Sequence, residues 1–315
     1  MIFLMYNIHY QARPIILRQT QRGDENMKLF ESKKFIGLTA AVALLSGVLA
    51  GCAGSDNTAA NVADNTNTAA ATEVANEATS DLLSTIKERG KIIIAMEGQW
   101  APWTYHDESG ELVGFDTEVG KEIAKRLGVD AEFVEGEWDG LFTGLDGGRY
   151  DMIINGVEIT DLRKEKYDFT TPYAYIRTAL VVKDDNADIA SFDDLKGRKT
   201  SNSLGSTYAD MATDLGAEVQ NVDTLSETID MVLSGRVDAT LNAEVSFYDY
   251  LGEHPDAPIK IVALTDEASE VSIPLRKGDE TASLREAVNA AISEMAADGT
   301  LTELSNKYFG RDITK

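Results

Sequence analysis

Cys52 is the one cysteine among 315 residues, and it closes the sequence Leu49-Ala50-Gly51-Cys52 at the end of an apolar run from Phe35 to Ala50. Lys28, Lys33 and Lys34 precede that run. A basic start, an apolar stretch too short to span a bilayer comfortably and small residues before the cut mark an export signal rather than a membrane helix. A thiol in this place is expected to be diacylated and to begin the mature chain, and two acyl chains hold a protein on a membrane far more firmly than one. The alternative, a buried free cysteine, fits poorly with the polar, unstructured composition that follows.

Elsewhere the residue types that catalyse are sparse. Three histidines occur: His9 lies ahead of the export signal, and His106 and His254 fall in polar turns where solvation suits them. There is no Gly-x-Ser-x-Gly elbow, phosphate-cradling loop or His-Glu-x-x-His pair. A single cysteine gives no disulfide framework and no metal-thiolate site, and no cofactor is expected. Asp116 and Glu118 stand at a helix start, where capping and the helix dipole account for them.

The remaining chemistry is recognition. Arg163 carries a planar fork that matches a carboxylate, although its neighbours Lys164, Glu165 and Lys166 suit a solvated helix face, and the residues alone favour that plainer reading. Gly205-Ser206-Thr207 precedes a helix, where free N–H groups attract anions; ordinary N-capping by Ser206 or Thr207 would use the same residues. Trp100, Trp103 and Trp138 offer flat apolar walls or plain core.

These residues sit in a chain with clear segments. Residues 1–26 fit no export signal, because the polar stretch from Arg18 to Asn26 separates their apolar residues from the run; they read as a mis-called N-terminal extension, with Met27 the start. Residues 27–52 are the lipoprotein signal peptide. Residues 53–80 are Ala, Asn, Thr, Asp and Glu with almost no large apolar side chain, which cannot offset its ordering entropy and reads as a disordered linker. From Ser80 onward the chain is long enough for a sizeable core, and no second apolar run could cross a membrane. Net charge is −24, which makes nucleic-acid binding improbable.

Apolar runs alternate with helical segments after Ser80, the pattern of an α/β protein. Strands are expected at Lys91 to Ala95, Asp130 to Val134, Met152 to Asn155, Glu218 to Val222 and Ala239 to Asn242. Helices are expected at Asp116 to Leu127, ended by Gly128, and at Asp139 to Asp146, Thr207 to Leu215, Ser226 to Ser234, Thr281 to Ala297 and Leu301 to Tyr308. Tyr105 to Phe115 reads as a hairpin around Asp107-Glu108-Ser109-Gly110.

Gly114-Phe115-Asp116-Thr117-Glu118-Val119, followed by Ile123-Ala124 and Leu127, resembles the signature of the polar amino-acid family of solute-binding proteins. The resemblance continues through Trp138-Asp139-Gly140, the run Ile153 to Arg163, Lys166-Tyr167-Asp168-Phe169, Leu195-Lys196-Gly197, Leu204-Gly205-Ser206-Thr207 and Asp298-Gly299-Thr300-Leu301, and so covers essentially all of Ser80 to Lys315. It implies a two-lobed periplasmic-binding-protein-like fold of type II, with two hinge-crossing segments and the ligand in the interlobe cleft. The crossings would lie near Tyr175 to Ala179 and Glu270 to Pro274, with lobe one formed by 81–175 plus 272–315 and lobe two by 176–271.

By the same resemblance, Arg163 would grip the ligand carboxylate and the Thr207 N–H would hold it from the second lobe. Trp100 and Trp138 would sandwich the ligand beside Glu97, while Trp103, after Pro102, would be buried structure. Asn155, Gly156, Ser203, Ser206 and position 243 complete the implied ligand set. Two departures stand out, because the family commonly has a hydroxyl residue at 158 and an aspartate for the ammonium at 243. Glu158 and Ala243 occupy them here, so Glu158 is the expected replacement partner for the ammonium, assisted by the Gly156 carbonyl, with Glu244 its rival. Glu97-Gly98-Gln99-Trp100-x-Pro102, Trp138-Asp139-Gly140 and the C-terminal stretch look most like cystine-binding members, while Glu97 and Glu158 together would equally suit lysine, arginine or ornithine. The implied role is a monomeric lipid-anchored receptor outside the cytoplasm that serves an ABC permease and its ATPase. A cyclohexadienyl-dehydratase-like enzyme on the same fold and a tethered amino-acid sensor are the rival readings.

Overall fold

The structure is a computed structural model that describes residues 81–315; the readings for 1–26, the signal peptide 27–52, Cys52 and the linker 53–80 lie outside the described residues. The described residues form one compact unit. No helix among the described residues is long and apolar enough to cross a membrane.

Asp81 caps α1 (Leu82–Arg89) by accepting the Ser84 N–H at 2.9 Å, and Gly90 ends it in the left-handed region. Next come β1 (Lys91–Met96), a small antiparallel set of β2 (Gln99–Trp100), β3 (Thr104–His106) and β4 (Leu112–Val113), and then α2 (Phe115–Leu127). After β5 (Asp130–Glu135), α3 (Trp138–Asp146) and β6 (Met152–Ile153), the first sheet is complete in the order β5-β1-β6, all parallel. The expected strand to Asn155 stops at Ile153, because Gly156 turns the chain at φ 55 and the Asn155 amide goes to Glu97 instead.

The short α4 (Asp161–Lys166) and strands β7 (Tyr167–Phe169) and β8 (Ala174–Ile176) lead out of this unit. The second sheet contains β9 (Thr178–Lys183), β10 (Lys199–Asn202), β11 (Glu218–Asn221), β12 (Ala239–Ala243) and β13 (Ile259–Leu264) in the order β11-β10-β12-β9-β13. Helices α5 (Thr207–Asp214), α6 (Leu225–Leu233) and α7 (Glu244–Glu253) connect its strands. The parallel trio β11, β10 and β12 is extended by antiparallel β9 and β13.

The chain returns through β14 (Ser269–Val271) and β15 (Pro274–Arg276), which pair antiparallel with β8 and β7, Glu270 lying opposite Tyr175. Then α8 (Ala282–Ala297) and α9 (Thr300–Phe309) pack back beside α2. The outcome is a two-lobed α/β fold, one lobe on each sheet, because each sheet must cover both faces of its parallel strands with helices. The chain forms α1 and α7 where no helix was expected from sequence.

Candidate functional site

Ligand clefts in open α/β sheets lie beyond the carboxyl ends of parallel strands, and the cavity here is built that way. It measures about 540 Å³ counted to its open mouth. From the first lobe, Glu97 follows β1, Trp138 begins α3 after β5, and Asn155 and Gly156 follow β6. Trp100, Glu158 and Arg163 complete that side, and Ser203, Ser206 and Thr207, in the turn from β10 to α5, face them from the second lobe.

Arg163 sits on α4, which Thr160 caps by accepting the Arg163 N–H at 3.1 Å. Lys164, Glu165 and Lys166 are exposed, as solvated helix charges are, but Arg163 turns into the cavity. Its guanidinium donates to the Glu158 carbonyl at 2.9 Å and to the Gly205 carbonyl at 3.0 Å, and lies 5.3 Å from the Trp138 ring centre and 5.5 Å from that of Phe142. Burial pulls its pKa down while the Glu158 charge pushes it back. A guanidinium carries five N–H donors, so two carbonyls leave donors for a carboxylate.

Glu158 is buried with its carboxylate in the cavity, and it accepts a hydrogen bond from the Thr207 hydroxyl across the cleft. Its backbone is fixed by a bridge to Val271 and by the Ile159 N–H to the Glu270 carbonyl at 2.9 Å. The rival Glu244 lies elsewhere: its carboxylate is ion-paired with Arg177 and Arg311, each at 2.8 Å, and does not line the cavity. Ala243 does not line it either. It is fully buried at the end of β12, its N–H held by the Asn242 side chain at 2.8 Å, and Asn242 takes the place in the wall.

Glu97 and Asn155 brace each other, the Glu97 N–H donating to the Asn155 side-chain oxygen at 2.8 Å and the Asn155 amide donating to the carboxylate at 2.6 Å. Burial raises the Glu97 pKa to about 7 against that amide's opposing pull. Asp116, read from sequence as a helix-start acid, does not cap α2, whose N-cap is Gly114 with no side-chain bond. It is fully buried beneath the cleft, where it accepts the Gly156 N–H at 2.6 Å and the Tyr173 hydroxyl at 2.8 Å, and burial raises it to about 7. Glu118 instead pairs with Lys121 at 3.1 Å.

A side chain on Gly156 would place its Cβ 2.6 Å from Trp100 Cζ3, so the tryptophan lies directly on the glycine. Trp100 also stacks on Trp103 at 5.3 Å and 18°, and Trp103 is the fully buried one of the pair. Trp138 packs edge-on against Phe142.

In the second lobe Ser206 is a true N-cap, accepting the Ala209 N–H at 3.1 Å and donating to the Ser203 carbonyl at 2.6 Å. The Thr207 N–H, in the first turn of α5, has no partner among the described residues. Six further residues line the cavity that sequence reasoning did not single out: Asn202, Tyr208, Asp223, Leu225, Thr228 and Asn242. Asn202 and Asp223 had a readable signal, as polar residues at or just past the end of a strand. No group of acidic, histidine or cysteine side chains among the described residues could hold a metal. His106 is exposed, bonded to Gly110 and Glu135, and outside the cavity.

The model of the bacterial extracellular solute-binding proteins, family 3, matches residues 92–311. The L-cystine-binding protein TcyA of Bacillus subtilis is 40% identical over 236 residues, covering 75% of this chain and 87% of that protein. Among solved structures, an ancestral arginine-binding protein bound to arginine superposes with a TM-score of 0.66 at 39% identity, over 70% of this chain and 99% of that one. The L-cystine solute receptor of Neisseria gonorrhoeae, in its unliganded open conformation, gives 0.51 at 38% identity over 74% and 99%. The poorer fit to an open form at nearly equal identity agrees with the hydrogen bonds that bridge the lobes here.

Proposed function

The chain belongs to the family 3 bacterial extracellular solute-binding proteins, and from that premise we propose that it is a lipid-anchored receptor that captures a polar amino acid, with L-cystine the first candidate, and delivers it to an ABC importer. One observation carries the reading. A guanidinium fork on Arg163, a helix-start N–H at Thr207 and the Glu158 carboxylate converge on one cavity walled by Trp100 and Trp138, which is the complement of an amino acid's carboxylate, ammonium and side chain.

In this reading Arg163 and the Thr207 N–H take the ligand carboxylate from opposite lobes, and Glu158 with the Gly156 carbonyl takes the ammonium. Glu97 and Asp223, both in the cavity wall, leave room for a second cationic group, which cystine has and which lysine, arginine and ornithine share in another form. Lobe one comprises 81–175 with 272–315 and lobe two 176–271, closing by a hinge at the two crossings. The monomeric protein, held outside the cytoplasm through Cys52, releases its ligand when an ABC permease with its ATPase favours one lobe arrangement over the other. It catalyses nothing.

The test is a thermal-shift and calorimetric screen of residues 53–315, which contain the compact unit of the described residues, against the common amino acids and L-cystine. A ligand at a hundred times its Kd stabilises the folded state by about 2.7 kcal/mol, a rise of roughly 5–10 °C in a domain of this size. A flat response across the panel sinks the receptor reading. Recovery of the ligand unchanged separates a receptor from a dehydratase-like enzyme.

A further inference from the structure

We propose that the side-chain carbonyl of Asn202 accepts a hydrogen bond from the ligand's ammonium group, and so gives the second lobe a grip on the nitrogen end of the ligand. The inference rests on the amino-acid receptor reading. Asn202 is the last residue of β10, where the cleft begins, and it lines the cavity while remaining 1% exposed. Its amide nitrogen donates to the Leu241 carbonyl of β12 at 2.7 Å. A carbonyl accepts only from a donor, so that contact fixes which end of the amide is nitrogen and leaves Oδ1 as the free end.

That oxygen is buried with no hydrogen-bond partner among the described residues. Buried carbonyls without partners are rare in folded proteins, because desolvation is not repaid. Of the other donors in the wall, the Ser206 hydroxyl bonds Ser203, the Thr207 hydroxyl bonds Glu158 and the Asn155 amide bonds Glu97, while Trp100 Nε1 and the Tyr208 hydroxyl, buried in the same wall, reach neither Asn202 nor any other partner among the described residues. Thr200 also carries a buried unpartnered hydroxyl, but it does not line the cavity. A donor brought by the ligand is the partner that fits Asn202.

Glu158 and Asp223 line the same cavity, and Glu97 adds a further carboxylate once its raised pKa of about 7 is passed, so the donor it attracts is cationic. Position 243, where the resemblance places an ammonium-binding aspartate, is a buried alanine outside the wall, and Glu244 is spent on Arg177 and Arg311. The second lobe therefore has no carboxylate at that place. A neutral carbonyl at Asn202 supplies direction while Glu158 on the first lobe supplies the charge, and an ammonium bridging the two ties capture to closure.

The experiment compares L-cystine with 3,3′-dithiodipropionic acid, which lacks both ammonium groups, on the wild type and on Asn202→Thr. Threonine suits a strand and keeps a hydroxyl. Calorimetry gives the L-cystine Kd, and competition at millimolar concentration gives that of the analogue. The expected result is a loss of tenfold or more for L-cystine with the analogue changed by less than threefold. An L-cystine affinity within threefold of wild type, or an equal loss for both compounds, overturns the proposal. Should the wild type prefer L-arginine, 5-guanidinopentanoic acid is the analogue, and should Asn202→Thr fail to fold, Asn202→Ser carries the comparison. A wild type that binds no amino acid removes the receptor reading itself, an outcome distinct from a failure of Asn202.

Discussion

The two carboxylates that could replace the aspartate expected at position 243 make opposite predictions. Glu158 lies in the cavity wall with one oxygen on Thr207, and Glu244 is buried between two arginines outside it. Hydrogen bonds to a charged group contribute about 1.5–3 kcal/mol and neutral ones about 1. Glu158→Gln keeps an acceptor but loses the charge, so ligand binding should weaken by about 1–2 kcal/mol, roughly five- to thirtyfold, with little change in the thermal midpoint of the free protein. Glu244→Gln strips the counter-charge from Arg177 and Arg311, whose side chains are 38% and 39% exposed. Breaking a buried pair costs about 3–5 kcal/mol, and solvent screening at the arginines reduces that to about 1–3 kcal/mol, a fall of roughly 3–10 °C with ligand affinity nearly intact. Calorimetry and thermal scanning on both variants read the two quantities separately. If Glu244→Gln abolishes binding while Glu158→Gln binds as wild type does, the assignment of the ammonium to Glu158 is wrong.

Two further changes test the cleft floor and its titration. Gly156→Ala puts a Cβ 2.6 Å from Trp100 at a φ of 55, and a left-handed L-residue costs about 1–2 kcal/mol; the displaced indole should weaken binding about tenfold, and a Kd within twofold of wild type would contradict the stacked geometry. Glu97 holds its proton up to about pH 7 when folded, against an ordinary 4.5. Between those values the folded protein binds a proton the unfolded chain has released, so its contribution to stability is greatest below pH 4.5 and falls as pH rises toward 7. Glu97→Gln removes that slope, and its midpoint minus that of wild type should grow from pH 5 to 7.5; a constant difference refutes the raised pKa. For a cationic ligand group at Glu97 the sign reverses, with affinity rising through pH 7.

Why some of this was readable and some not follows from which interactions are local. Helix ends such as Gly128, strand cores such as Lys91 to Met96, and the hairpin at Asp107 to Gly110 are set by neighbours in sequence, so periodicity and turn residues reveal them. The cleft wall was legible where motif residues stand at strand ends. Asp116 was misread because an acid in a first helical turn suits the dipole, and only the packing of α2 shows that its side chain points inward to Gly156 and Tyr173. Glu244 stayed ambiguous for the same reason: whether a residue one place beyond a strand faces the cleft or the hinge depends on where α7 begins, and Asn242, not Ala243, proved to face the cavity. Asn202 escaped notice because its unpartnered oxygen exists only once β10 and β12 are paired.

The backbone around Glu158 links the site to the crossings. The Val157 carbonyl accepts the Ser272 N–H at 2.9 Å, Glu158 bridges Val271, and Ile159 donates to Glu270, so this stretch runs alongside β14. β14 pairs in turn with β8, and Tyr173, just ahead of β8, holds Asp116, which holds Gly156. The floor that would meet the ammonium is thus clamped between the two strands that pass from one lobe to the other. Across the cleft, Arg163 reaches Gly205 and Thr207 reaches Glu158, contacts that join the two lobes. If the ligand sits on Glu158 as proposed, it acts on the same few peptide groups that the crossing strands use, and no separate relay is required for occupancy to bias closure.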